Sequence, residues 1–128
     1  MTEGYEIGTA VRLRAFHVMP DMPPPEGERH AHDYRVEAIV RRRELDERGM
    51  VVDLDELRDA LEEGAAHVHG RDLDRIRPES TDAVTVEVFA RWFHGEVAER
   101  VRRAGAEELE IRVWESPDDY GAYGAPLS

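Results

Sequence analysis

Polar and apolar residues alternate over residues 6–18, where Ile7, Thr9, Val11, Leu13, Ala15 and His17 share one parity and Arg12 and Arg14 take the other. A period of two is that of a strand with one buried face. The stretch from Met19 to Gly27 breaks the pattern. Pro20, Pro23, Pro24 and Pro25 have no N–H to give to a ladder, so a loop is predicted there. Alternation resumes at His30: His30, His32, Tyr34, Val36, Ala38 and Val40 face one way, and Arg29, Asp33, Arg35, Glu37 and Arg41 the other. The two runs predict an antiparallel hairpin with a wide loop. Arg41 to Gly49 then reads as a charged, solvated turn.

Helical spacing follows. Asp53 and Glu56 fit a capping box, Leu54, Leu57 and Leu61 form a stripe, and Gly64 is the expected stop. Thr85 is the expected cap of a second helix with the face Val86, Phe89, Ala90, Phe93, Val97 and Val101, ended by Gly105. Between them, Ala65 to Ala83 is polar and reads as a connecting loop. Leu109, Ile111, Val113 and Glu115 alternate with Glu108, Glu110, Arg112 and Trp114, a third strand. A weaker fourth runs around Tyr120 to Ala125, interrupted by Gly121 and Gly124. Two strands, two helices and two strands predict an α+β fold, one antiparallel sheet with both helices on one face.

Composition narrows the chemistry. At 128 residues and 41% hydrophobic, the chain supports one domain, residues 1–128, around one core. With 17 basic and 29 acidic residues the net charge is −12, which excludes a general nucleic-acid binder. Every basic residue is arginine, so lysine nucleophiles and Schiff bases are excluded. No cysteine is present, which excludes disulfides, thiolate nucleophiles and cysteine zinc sites. Any metal must be held by His, Asp or Glu. The start Met1-Thr2-Glu3-Gly4 is unlike a targeting peptide, and no apolar run approaches the ~18 residues of a membrane span, so a soluble cytoplasmic protein is expected.

Parity singles out the histidines. His17 ends the apolar row of the first strand, and His30 and His32 begin the row of the second. In a hairpin all three rings converge at one end of one face. Three imidazoles are a recurrent zinc set that leaves a fourth position open. The same pattern also fits ordinary polar residues at strand ends, and the residues alone leave both readings open. Glu115 continues the row of Leu109, Ile111 and Val113, so parity puts a carboxylate on a buried face, where it needs a partner. Alternatively, the strand surfaces there or the carboxylate meets an arginine. His67 and His69, near Asp72 and Asp74, are candidates for proton transfer. His94 reads as a surface residue of the second helix, and Trp92 and Phe93 as packing.

Five segments then stand in a known order: Leu13-Arg14-Ala15-Phe16-His17, His30-Ala31-His32 with Tyr34, Gly49-Met50-Val51-Val52-Asp53, Thr85-Val86-Glu87 with Phe89-Ala90-Arg91-Trp92, and Glu115-Ser116. Together they resemble the 6-pyruvoyl-tetrahydropterin synthase / 6-carboxy-tetrahydropterin synthase family over almost the whole chain. The resemblance implies the tunnelling fold (T-fold), in which trimers close subunit sheets into a barrel and two trimers usually stack as a hexamer. It implies His17, His30 and His32 as zinc ligands, and Glu115 and Thr85 as pterin-binding residues. The implied activity is that of a zinc-dependent pterin lyase or synthase acting on 7,8-dihydroneopterin triphosphate or a related dihydropterin. Two departures stand out. The family's usual catalytic cysteine, four residues before the His-x-His, is here Glu26, which resembles a variant group that cleaves the pterin side chain to a 6-hydroxymethyl group. The family's Asp-His proton-transfer pair falls on His69-Gly70, which makes Glu26 and His69 the candidate catalytic residues. The rival reading is a pterin- or purine-like ligand binder that has kept metal and ring anchor and lost turnover.

Overall fold

The hairpin forms as its parity demands. In a computed structural model that describes residues 3–128, β1 (Tyr5–His17) pairs antiparallel with β2 (His30–Arg42) in one unbroken register, from Tyr5 opposite Arg42 to His17 opposite His30. Met1 and Thr2, part of the stretch read against a targeting peptide, lie outside the described residues. No helix among the described residues is long and apolar enough to cross a membrane. Helices α1 (Leu54–Ala66) and α2 (Val86–Arg103) come next, then β3 (Glu108–Trp114) and β4 (Tyr120–Pro126). The sheet order is β1-β2-β3-β4, antiparallel throughout. Both helices cover the face of Leu13, Val36, Val40, Leu109, Ile111 and Val113, and Leu57, Leu61, Phe89, Phe93 and Val97 complete the core. The α+β expectation therefore holds, including the weak fourth strand. Gly121 is required there: a Cβ would lie 2.6 Å from Val86 Cγ2 and 3.0 Å from the Glu87 nitrogen. Its absence lets β4 run under the start of α2.

Helix α2 has both expected ends. The Thr85 hydroxyl accepts the Val88 N–H at 3.2 Å. At the other end Gly105 takes φ +108, its N–H reaches the Arg102 carbonyl, and the Ala106 N–H reaches that of Val101, both at 3.0 Å. Helix α1 departs from expectation in three ways. Gly64 does not stop it; the helix continues to Ala66, and Gly64 marks close packing on α2, where a Cβ would stand 2.8 Å from the Phe93 ring. Asp53 caps through the Asp55 N–H at 2.9 Å, while Glu56 turns away to accept from Arg100 Nε at 2.8 Å, so no capping box forms. Leu54 is exposed, and Ala60 joins Leu57 and Leu61 in the stripe.

Two other readings are corrected. The segment 65–83 is more than a polar connector: Val68 and Leu73 are fully buried, and a 3₁₀ turn spans Leu73–Ile76. It runs along the outer edge of β1, where the Gly70 N–H meets the Arg14 carbonyl at 2.6 Å and the Phe16 N–H meets the Arg71 carbonyl at 2.9 Å. His94 is buried, its ring edge-on to Tyr123 at 5.0 Å between centroids. Helix α2 is covered by α1 on one side and by β4 on the other, so its buried face is wider than one stripe.

Candidate metal centre

Register brings three imidazoles to one end of the helix-covered face. His17 stands opposite His30, and His32 opposite Ala15. The ring centroids lie 4.5 Å (His17–His30), 5.0 Å (His17–His32) and 4.8 Å (His30–His32) apart, with one nitrogen of each ring within 4.8 Å of the others. His30 Nδ1 is 2.7 Å from the Glu28 carbonyl, which can only accept, so Nδ1 carries the proton and Nε2 keeps its lone pair. That Nε2 lies 3.1 Å from His32 Nε2. His17 is only 6% exposed, and neither of its ring nitrogens makes a hydrogen bond. A buried polar atom without a partner is costly. A cation among the three rings removes that cost.

Electrostatics keep these rings neutral, the state a metal requires. Burial pushes the His17 pKa down, and the charges of His30 and His32 add to this, against weaker pulls from the Val84 backbone and Asp72. Burial and His30 likewise depress His32, opposed by Glu115, Asp33 and Glu26. Behind His32 sits Tyr34, 5.5 Å away ring to ring and stacked edge-on to Phe89 at 5.2 Å. Its phenol is pushed up by burial and by the Glu115 charge. Three neutral imidazoles with an open side suit zinc, with Zn–N distances of about 2.0–2.1 Å.

The other candidates sort by place. Strand β3 ends at Trp114, and Glu115 surfaces as an exposed residue with its N–H on the Asp119 carbonyl at 3.2 Å. Parity alone placed it on a buried face; the end of the strand releases it. Its charge still reaches His32 and Tyr34. Glu26 is exposed in the proline loop, close enough for its charge to act on His32, and its carbonyl accepts the Met19 N–H at 2.8 Å. Gly27 permits the loop's tight path, since a Cβ would stand 1.8 Å from the Met22 carbonyl oxygen. Thr85 follows Val84, whose backbone acts on His17. His69 stands apart: its Nδ1 accepts the Arg14 N–H at 3.1 Å, three residues and about 10 Å along β1 from His17. His67 also lies elsewhere, 2.8 Å from Glu96. A hollow of about 660 Å³ between α2, β4 and residues 76–81 contains none of the three imidazoles.

The sequence reading missed one clamp. Arg29 Nε donates to Asp72 at 3.2 Å, and its guanidinium sits 4.1 Å over the Phe16 ring. Asp72 in turn acts on His17. The pair ties the start of β2 to the outer edge of β1. Asp72-Leu73-Asp74 carries a local cap signal, realised by the Asp74 N–H on Asp72 at 3.1 Å, but nothing local tells which strand the segment meets.

Comparison with known proteins agrees with this layout. The family model for 6-pyruvoyl tetrahydropterin synthase matches residues 6–126. The fold is similar to that of Plasmodium vivax 6-pyruvoyl tetrahydropterin synthase (TM-score 0.76, 12% identity, 98% of this chain and 99% of that one). It is similar to the Caenorhabditis elegans 6-pyruvoyl tetrahydropterin synthase as well (0.67, 18%, 95% and 96%). A P. vivax variant with a catalytic glutamate replaced by alanine gives 0.75 at 12% identity over 98% and 99%. No match is found among the curated proteins. Because the family match runs from the second residue of β1 to the last of β4 and takes in all three imidazoles, this chain belongs to the 6-pyruvoyl tetrahydropterin synthase family of pterin lyases and synthases.

Proposed function

We propose that the chain is a zinc-dependent pterin lyase acting on 7,8-dihydroneopterin triphosphate or a close dihydropterin. The observation that carries this is the triad itself: three neutral imidazoles, one of them buried with both nitrogens unpartnered, with two carboxylates, Glu26 and Glu115, close enough to act on His32. His17, His30 and His32 hold the metal. When bound there, zinc supplies a Lewis acid for the hydroxyl oxygens of the pterin side chain, which acidifies the adjacent C–H bonds.

The chain's own residues do the rest. Glu26 is the acid–base group, and the catalytic glutamate of the P. vivax relative supports this choice. A free glutamate, with a reference pKa near 4.3, is a weak base. Closure of the pocket by substrate raises that value by desolvation and makes the carboxylate able to accept a carbon-bound proton. Glu115 accepts the ring's 2-amino and N3–H donors as a charged pair. Thr85 spends an oxygen lone pair on its helix cap and keeps its hydroxyl proton for a ligand acceptor. His69 holds the 69–72 segment to β1 and leaves proton transfer to Glu26.

The assembly belongs to the same proposal. β1 and β4 are the open edges of the sheet. Closing them into a ring of copies removes edges that otherwise invite uncontrolled pairing, so a homo-oligomer larger than a dimer, a dimer of trimers, is expected. A second reading, a ligand binder without turnover, draws on one observation: the histidine nearest the family's proton-transfer position is occupied by the Arg14 N–H. Incubating zinc-loaded protein with dihydroneopterin triphosphate, followed by mass spectrometry, separates the two. A new pterin product supports the lyase; tight binding with unchanged substrate supports the binder and ends the proposal.

A further inference from the structure

The sheet face left open by the helices carries a feature that the metal centre does not use. Register places Arg12 opposite Arg35, Arg35 opposite Trp114, and Trp114 opposite Tyr120. One row across the sheet therefore reads arginine, arginine, tryptophan, tyrosine. Like charges directly opposed on neighbouring strands are destabilising unless something neutralises them. Elsewhere on this face each arginine has its carboxylate. Arg14 has Asp33 at 3.8 Å, Arg41 has Glu6 at 3.1 Å and Glu110 at 3.2 Å, and Arg112 has Glu110 at 2.5 Å. Arg35 reaches only Glu37, at 3.8 Å, and that carboxylate already accepts the Trp114 indole N–H at 3.1 Å and lies 3.9 Å from Arg112. Arg12 has no carboxylate partner among the described residues. In a chain of net charge −12, an arginine left over opposite another arginine is out of character.

Both guanidinium groups line one cleft of about 400 Å³, walled by Trp114, Ser116 and Pro117, with Asp33 and Glu115 also on its lining. Arg35 sits 5.9 Å from the Trp114 ring. We propose that this cleft binds a phosphate-bearing anion, with Arg12 and Arg35 sharing its oxygens and the Trp114 indole forming a wall for any flat group attached to it. Two planar forks suit a multi-oxygen dianion, whereas a single carboxylate occupies only one of them. The site is separate from the triad. His17, His30 and His32 have the parity of the helix-covered face, and Arg12 and Arg35 the opposite parity.

The experiment is a calorimetric titration of zinc-loaded, full-length protein with inorganic pyrophosphate, and in a second arm with a purine nucleoside monophosphate. Binding of one anion per chain, weakened by salt, is expected. Arg12→Gln and Arg35→Gln should each lower affinity about ten- to hundred-fold, the usual loss for a charge-assisted contact, with Arg12→Lys in between. A preference for pyrophosphate identifies a free anion. A preference for the nucleotide, with quenched Trp114 fluorescence, identifies a ring-bearing one. Arg12→Gln should also leave the melting temperature without anion unchanged or raised, since a repulsion is relieved. No binding at millimolar pyrophosphate overturns the proposal, as does an affinity unchanged in both glutamine variants. Loss of binding on removal of the metal overturns it too, because the anion then sits at the triad.

Discussion

The chain contains His-x-His twice, and the two copies behave differently. In His30-Ala31-His32 the backbone is a strand, so both rings leave on one side, meet each other at 3.1 Å between nitrogens, and meet His17 across the hairpin. In His67-Val68-His69 the backbone has just left α1, with His67 as the helical cap residue. There the middle residue is fully buried and the rings part: His67 reaches Glu96 on α2 at 2.8 Å, and His69 takes the Arg14 N–H of β1 at 3.1 Å. Spacing carries ligand chemistry only when the backbone repeats with the same period. The first pair gathers donors for a cation, and the second fastens a segment to its neighbours.

The largest test of that contrast is metal content. His30→Ala with His32→Ala should abolish stoichiometric zinc, while His67→Ala with His69→Ala should retain it, as read by elemental analysis after gel filtration. Equal metal in both double variants would dissolve the distinction. Next in size is Glu26→Gln. Zinc should remain and turnover should fall roughly 10²–10⁴-fold, the usual contribution of a positioned acid–base group. Turnover that survives would return the acid–base role to the second motif, to His67 or His69.

A smaller effect is expected from His69→Ala alone. It strips a partner from the Arg14 N–H at the sheet edge, costing about 0.5–1.5 kcal/mol in urea unfolding with zinc content unchanged. A large loss of turnover at unaltered stability would make His69 catalytic after all. The smallest effect concerns a third kind of histidine. His94 is buried with Nε2 unpartnered, and burial pulls its pKa below the ordinary 6.5. The unfolded chain therefore takes up a proton at a higher pH than the fold does. Stability should be full above about 6.5 and decline as pH falls through that value towards the lower folded one. His94→Gln should flatten this part of the stability–pH curve of zinc-loaded protein; an unchanged slope would assign the decline to other groups.

Most of the fold was legible because its strands have a strict period of two and its second helix carries cap, stripe and C-terminal glycine. The triad was legible for the same reason, as parity and one hairpin are enough to superimpose His17, His30 and His32. Gly64 was misread because a glycine that ends a helix and one that admits a neighbouring ring look alike in a sequence. His94 was misread because α2 is buried on two sides, and a one-stripe pattern describes burial on one. The clamp of Arg29 on Asp72 joins residues 43 positions apart, beyond the reach of any local pattern.

The sequence by itself determined what covalent order and periodicity can determine: which side chains share a face, where prolines break a ladder, and which chemistries the lack of cysteine and lysine forbids. Tertiary structure decided the rest. It released Glu115 at the end of β3, laid residues 69–72 along the edge of β1, and set Arg12 against Arg35 without a counter-charge. The reason is physical. A local pattern specifies the direction in which a side chain leaves the backbone, whereas its partners, its burial and the charges it feels come from segments that meet only when the chain has packed.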